Sequence, residues 1–496
     1  MPHTPSAATT AFLARSPFGL FINGEWSESG DGQSFAAANP SDGAELAQLA
    51  QATAADVDRA VTAARAALSG PWSHLSPADR SALLRNLGNL ITAHAAELAE
   101  LESLDNGKPI RHTRAIDARV AARQAYHFAG WPTKISGETP AVSIPNHLVY
   151  TRREPVGVVG IIIPWNYPLI HTLQKISPAL ACGNTVIFKP AEQASLVALR
   201  LAELFAQAGF PPGVVNILTG DGPTTGAAIA NHPGINKVQF TGSLAVGRTV
   251  MQAAAGSLKR LALELGNKAA NIIFADADLS EAVPGAFKAA FGNTGQSCVA
   301  GSRLFVQQDI AADVTRQLAE RAATVNIGHA LNPATELGPI IDRAQFEAIS
   351  GYIHRAKAQG ATPVFGGQRL TGGDFERGFY LPPTLFSGVP DDAELACEEI
   401  FGPVVTVHPF ESEAEVIRRA NATPYGLAAG VWSRDVGRAH RVAAALQAGV
   451  VWVNTYDMFD PAAPFGGFKQ SGFGRDNGRE VIEAYTEVKS VWVKTG

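Results

Sequence analysis

The spacing of apolar and polar positions divides the chain into a helical opening and two long stretches in which strands and helices alternate. Near the start, Leu20-Phe21-Ile22 runs into Asn23-Gly24 and then Glu25-Trp26, an apolar run broken by an Asn-Gly pair, which predicts a hairpin. Helical periodicity follows over 54–68 and 77–104, each opened by Thr or Ser near the N-cap. Thr53 is trailed by Asp56 and Asp58, acidic groups that suit the positive end of a helix. From Glu154 the texture changes to short β-branched runs, each followed by a helix. The spacing predicts strands over 156–163, 185–188, 214–218, 238–240 and 261–263, with helices over 196–208 and from about 245. Such alternation implies right-handed βαβ units and a parallel sheet. A second alternating region, 267–465, contains predicted helices over 280–291 and 311–325 and strands over 303–307, 363–365 and 404–408. Two further strands, 148–152 and 487–494, fall outside both series. Their unpaired edges predict an oligomer.

At 496 residues the chain is too long for one ordinary core, and two or three domains are expected. It is 46% hydrophobic and 17% charged, which excludes a disordered class. The net charge of −5 and the lack of a Lys/Arg run give no footprint for nucleic acid. The most apolar run, 156–165, is about half of what spans a bilayer, so no membrane partner is expected. Residues 1–17 lack the apolar core of a secretory signal, although Arg15 and the absence of acidic residues keep a transit peptide open. The three cysteines, Cys182, Cys298 and Cys397, are widely and irregularly spaced, which argues for a reducing, cytoplasmic setting.

Cys298 lies among small residues, Gly295-Gln296-Ser297-Cys298-Val299-Ala300-Gly301, between a predicted helix and strand. Small neighbours leave room for a substrate to reach a nucleophilic thiolate. A lone cysteine is otherwise a small buried hydrophobe, the reading given to Cys182 and Cys397. A cysteine hydrolase would need a His partner, and none of the twelve histidines sits in a recognisable motif for one. No metal-ligand spacing occurs. Glu264 interrupts the apolar Leu261-Ala262-Leu263 run, and burial there raises a carboxyl towards the range of a general base; a salt-bridged strand end fits equally. A strict Gly-x-Gly-x-x-Gly is absent. Gly220-Asp221-Gly222 to Gly226 approaches it, and Phe240-Thr241-Gly242-Ser243 to Gly247 joins a strand to a helix whose N-terminus could meet a pyrophosphate. Lys189 and Glu192 follow a parallel strand, where open α/β sheets bind a nucleotide ribose.

Seven segments in one order, Pro164–Pro168, Phe188–Glu192, Phe240–Ser243, Leu263–Gly266, Gly295–Cys298, Glu398–Pro403 and Pro464–Lys469, resemble the aldehyde dehydrogenase superfamily, and the likeness covers essentially the whole chain. The resemblance implies an α/β fold. A Rossmann-like NAD-binding domain is expected over 1–132 and 155–266, a catalytic domain over 267–465, and a bridging, oligomerising segment over 133–154 and 478–496. It implies oxidation of an aldehyde to the acid, with Cys298 as nucleophile and Asn166 joining the Cys298 N–H in an oxyanion hole. Glu264 becomes the base for deacylation, and Lys175 and Asp476 become its proton relay, although relatives often carry Glu at the latter position.

For the cofactor, NAD with NADP as an alternative, it implies an adenosine-ribose pair in Lys189 and Glu192, a pyrophosphate contact in Ser243 and a nicotinamide-ribose clamp in Glu399 and Phe401. Ile162, Pro164 and Trp165 fall on the nicotinamide side, and Gly222, Val246 and Leu265 are further cofactor positions. A carboxylate at Glu192 favours NAD by repelling a 2′-phosphate. The substrate tunnel is expected to include Tyr167, Ser297, Val299, Asp457, Phe459 and Phe465. His171, Gln174 and Gly292 stand where relatives often have larger apolar residues, which predicts a wider or more polar tunnel that admits aromatic or medium-sized aldehydes. Asn267 replaces a second Gly after Leu263–Gly266 and is expected to hold a left-handed turn. Two rivals on the same fold are a CoA-acylating semialdehyde dehydrogenase, disfavoured by Glu264, and a non-catalytic structural relative, disfavoured by Cys298, Asn166 and Glu264 together. The assembly implied is a homodimer or homotetramer.

Overall fold

A computed structural model describes residues 4–496. Of the stretch 1–17, where a transit peptide was left open, residues 1–3 lie outside the described residues. The rest is built into the fold, as the helix Ala7–Leu13 with Ser6 as its N-cap and Phe12 buried.

Two sheets dominate. In the first, the strands lie in the order Gly472–Phe473, Arg260–Glu264, Lys237–Thr241, Val158–Ile162, Thr185–Lys189, Val215–Ile217, Leu20–Ile22, Glu25–Ser27. The five from Arg260–Glu264 to Val215–Ile217 are mutually parallel, and the outer ones are antiparallel. Numbered by sequence, the parallel strands run 5-4-1-2-3, a doubly wound order that reverses beside Val158–Ile162. All five residues of that strand are buried, as a strand with helices on both faces must be. The second sheet has the order Pro363–Phe365, Thr384–Ser387, Val404–Phe410, Arg303–Gln307, Ala270–Ile273, Ala428–Trp432, Val450–Val453, parallel except for its first pair.

Local chemistry accounts for the ends of several elements. Asn23 and Gly24 both have positive φ (56° and 81°), the backbone a two-residue hairpin turn requires. Thr53 and Ser76 each form a capping box with the Asp three residues on, opening the helices Ala54–Ser69 and Pro77–Ala93. The single helix predicted over 77–104 is two helices. His94 leaves helical geometry (ψ 14°), and a second helix, Ala95–Asn106, follows and ends on the left-handed Gly107.

The two strands predicted outside the sheets are His147–Pro155 and Thr486–Lys494, paired antiparallel with each other over nine residues. Leu148, Tyr150, Val488, Trp492 and Val493 stay exposed on this ribbon. The pair Ser34–Ala38 and Glu45–Ala50 and the strand Gly472–Phe473 escaped sequence reading. Among the described residues no helix is long and apolar enough to cross a membrane.

Candidate active site

The strands of the first sheet deliver their C-terminal ends to one place. Pro164, Trp165 and Asn166 follow Val158–Ile162; Thr241, Gly242 and Ser243 end Lys237–Thr241 and open the helix Leu244–Ala255; Glu264, Leu265 and Gly266 end Arg260–Glu264. The first two groups flank the point where strand order reverses, the usual ligand crevice of an open α/β sheet. Together with Cys298, Glu399 and Phe401 these residues line a cavity of about 320 Å³. Ser243 caps its helix by accepting the Val246 N–H at 3.3 Å. A Cβ on Gly247 would come within 2.5 Å of Leu265, so glycine lets that helix lie against its strand.

The loop carrying Cys298 is held under strain. Asn293 and Thr294 have φ of 50° and 56°, unusual for any side chain and more so for a β-branched one. Gly295 continues the left-handed run at 70°, and a Cβ there would meet the Gly402 carbonyl at 2.1 Å. Hydrogen bonds hold the loop: Thr294 Oγ1 donates to Gly338 O (3.0 Å), and Gln296 Oε1 accepts the Ile341 N–H (3.0 Å). Asn166 is 1% exposed, donates through Nδ2 to Gln296 O at 3.2 Å and has an unpaired Oδ1. Its amide therefore sits beside the Cys298 loop with one N–H to spare.

Burial pushes the Cys298 thiol well up, and the charges of Glu399, Glu264 and Asp457 push the same way. Glu264 is 2% exposed with neither carboxyl oxygen hydrogen-bonded. Burial raises it far above the ordinary carboxylate range, Asp476 adds to the rise, and Lys175 opposes it. Behind it, buried Lys175 donates through Nζ to Asp476 Oδ2 at 2.7 Å, and Gln239 Nε2 donates to Oδ1 at 2.9 Å. The salt-bridged alternative for Glu264 is not what the structure shows.

On the same side, Glu399 Oε1 accepts the Asn267 N–H at 2.9 Å, and burial raises its carboxyl to about 7. Phe401 takes a positive φ of 54° and sets its ring edge-on to Trp165, 5.3 Å between centroids. Asn267 does not hold a left-handed turn, contrary to the sequence reading: it is absent from the positive-φ positions, and its buried side chain accepts the Leu427 N–H at 3.4 Å. The constraint sits one residue earlier, at Gly266, where a Cβ would lie 2.3 Å from Glu399 Oε2. Lys189 and Glu192 form an ion pair at 3.3 Å; these two, Ile162, Gly222 and Val246 do not line the cavity itself.

A second cavity, about 440 Å³, meets the first at Cys298 and His171. Tyr167, Gln174, Ser297, Val299, Asp457, Phe459 and Phe465 all line it. Gly292 does not. A Cβ there would touch only Lys288 Cγ, at 4.0 Å, and it is Lys288 that reaches the wall. Tyr167 is fixed from behind by Lys108, whose ammonium lies 3.9 Å from the ring centroid and is itself buried between Glu102 (2.8 Å) and Asp117 (3.1 Å).

Sequence reading missed this ionic support and two helical faces. Ile116, Arg119, Val120 and Gln124, spaced by three and four, line the second cavity; Gln345, Ala348 and Tyr352 line the first. Helical spacing was the available signal. Among the described residues no cluster of metal ligands occurs.

The family model described as "Aldehyde dehydrogenase family" matches residues 26–491. The chain is 48% identical over 478 residues to the mitochondrial aldehyde dehydrogenase of Sus scrofa, covering 96% of this chain and 91% of that protein. It is 46% identical over 478 residues to retinal dehydrogenase 2 of Homo sapiens, with the same two coverages. Among solved structures, the NAD+ complex of aldehyde dehydrogenase from Bacillus cereus superposes with a TM-score of 0.97 at 46% identity, covering 99% of both chains.

Proposed function

This chain belongs to the aldehyde dehydrogenase family, and from that premise we propose that Cys298 is the nucleophile of an NAD-dependent, hydrolytic aldehyde oxidation. The protein is an oxidoreductase acting on aldehydes, with NAD as its cofactor. The observation that carries the residue assignment is the meeting of two cavities at Cys298, one walled by strand ends and a helix N-terminus, the other by apolar and polar side chains. The first fits a dinucleotide: the buried Thr241 Oγ1 has no partner there, Ser243 caps the helix, and Glu399 presents a carboxyl for ribose hydroxyls. Glu192, partly exposed beside Lys189, favours NAD over NADP by its negative charge.

In this reading the Cys298 sulfur bonds the aldehyde carbon while its proton passes to the Glu264 carboxylate, and the carbonyl oxygen becomes an oxyanion. Asn166 Nδ2–H and the Cys298 N–H hold that charge, a contribution of ~3–4 kcal/mol for such a donor. Held by Thr241, Ser243 and Glu399, NAD would supply the hydride acceptor for that carbon. Cys298 then holds a thioester. Glu264, once deprotonated, takes a proton from water, whose oxygen attacks the thioester carbon; the C–S bond breaks and the thiol is restored. Lys175 and Asp476 carry the proton from Glu264 away from the dry site. The presence of Glu264 favours hydrolysis over transfer to CoA. Its retention with Cys298 and Asn166 favours catalysis over a purely structural role.

The volume of the substrate cavity supports aromatic or medium-sized aldehydes. The sheets support a cofactor domain over 1–132 and 155–266, a catalytic domain over 267–465 and a bridging segment over 133–154 and 478–496. The apolar side chains exposed on the bridging ribbon support a homodimer or homotetramer. Three free cysteines support a reducing, cytoplasmic setting. NADH formation across an aldehyde panel, with and without CoA, tests the reading. Free acid appearing without CoA supports it, and acyl-CoA as the sole product overturns hydrolysis.

A further inference from the structure

The cavity on the substrate side of Cys298 is apolar along Val120, Ile170, Phe459 and Phe465, and its charges are unbalanced. Arg119, Arg123 and Lys288 line it, against a single carboxylate, Asp457, among the described residues. Arg119 and Arg123 stand one turn apart on the helix Ala118–Ala129, and Lys288 lies in the last turn of Leu279–Phe291. All three are exposed, which puts them where the cavity opens to solvent. Arg123 is paired at 2.6 Å with Asp460, which does not line the cavity, and Lys288 is 4.0 Å from Asp457. Arg119 has no ion-pair partner among the described residues.

Exposed cations at a rim are ordinarily just solvated. Two amides in the same wall point to more. Gln124, beside Arg123 on the same helix, and Asn477 are each 2% exposed. The side-chain oxygen of each is buried, so the end offered to the cavity is the NH2. Neither amide nitrogen is hydrogen-bonded among the described residues. Polar groups this buried are satisfied in the great majority of cases. An ammonium on the substrate would be repelled here and would leave the N–H groups unpaired. A neutral hydroxyl would accept from an N–H but leave Arg119 without a counter-charge. A carboxylate satisfies both kinds of group. Asp457 alone in this wall opposes it, and Lys288 lies beside that carboxylate.

We infer that the aldehyde this enzyme selects carries a carboxylate remote from its carbonyl, across an apolar spacer, drawn by Arg119, Arg123 and Lys288 and hydrogen-bonded by the amide of Gln124 or Asn477. The inference rests on the assignment of Cys298 as nucleophile and of this cavity as the substrate's. The product of such a substrate is a dicarboxylic acid.

The test uses the full-length enzyme with NAD and substrate pairs that differ in charge and hardly in shape: 6-oxohexanoate against 6-oxohexanamide, and 4-formylbenzoate against 4-formylbenzamide. At low ionic strength the expected kcat/KM ratio is roughly fivefold or more in favour of the carboxylate in at least one pair, the size that a few exposed charges acting together supply. Raising the salt to about 0.5 M should bring the ratio towards one, because salt screens exposed charge and leaves shape complementarity alone. The double variant Arg119→Gln, Lys288→Gln should do the same at low salt. Both side chains are exposed, and a ratio taken within one preparation cancels any loss of folded protein. Ratios near or below one for both pairs, with brisk NADH formation from the amides, overturn the carboxylate preference and leave the Cys298 reading standing. A preference kept at high salt, or kept in the double variant, overturns its assignment to these charges. No NADH from any of the four aldehydes, nor from hexanal, overturns both readings.

Discussion

The two cavities that meet at Cys298 are built by different means. On the cofactor side the wall is largely strand ends and backbone, shaped by glycines that a methyl group would ruin: Gly266 against Glu399, Gly247 against Leu265, Gly295 against the Gly402 carbonyl. On the substrate side the wall is side chains from several separate stretches of chain, with an imbalance of charge. A wall fixed by backbone geometry suits a ligand that never changes. A wall of side chains can be altered one residue at a time without disturbing the sheet beneath, and that is where specificity can drift.

Breaking the junction itself has the largest effect. Cys298→Ala is expected to lower kcat by at least ~10³-fold with every aldehyde while NAD binding, measured by fluorescence titration, is kept. Residual turnover near wild type would remove Cys298 from the chemistry. Next is the proposed oxyanion donor: Asn166→Ala should reduce kcat by about 10²–10³-fold with a much smaller change in KM. A loss seen only in KM would make Asn166 a binding residue.

Gly266→Ala sharpens the contrast, because its methyl must displace the Glu399 carboxyl. NAD binding should weaken by about tenfold, or ~1.4 kcal/mol, with preference among aldehydes unchanged. A shifted aldehyde preference would mean that the two sides are not separable.

The smallest effect is a pH slope. Glu399 has its carboxyl raised to about 7 by burial, so in its proposed role it would be protonated below that pH and would accept ribose hydrogen bonds as a carboxylate above it. NAD affinity should rise modestly from pH 6 to 8 and then level, and Glu399→Gln should flatten the profile. Affinity that falls over this range in the wild type would refute the assignment.

Legibility in the sequence followed the same division. The alternation of β-branched runs and helices located the five parallel strands to within a residue or two, because strands buried on both faces are rich in apolar and β-branched residues. Cys298, Glu264, Asn166, Glu399 and Phe401 stood in local motifs, and the structure gathers them round one cavity. The break at His94 was hidden, since the apolar spacing runs on through a backbone that leaves the helix. Asn267 was read as a left-handed turn from residue type, but the tight contact belongs to Gly266 and its partner 133 positions away. Gly292 was assigned to the tunnel by alignment of position, whereas the space in front of it is taken by Lys288.

The sequence by itself determined what depends on neighbours along the chain: periodicity, caps, the Asn23-Gly24 turn and the small-residue segment around Cys298. Only the tertiary structure decided which side chains share a cavity and what each is left without. It set Lys175 against Asp476 across 301 positions and Lys108 beneath Tyr167, and buried one polar atom each of Gln124, His171 and Asn477 without a hydrogen-bond partner. The physical reason is that burial, hydrogen-bond satisfaction and the pKa shifts they cause are properties of a surrounding volume. That volume is assembled from segments whose separation along the chain carries no record of their contact.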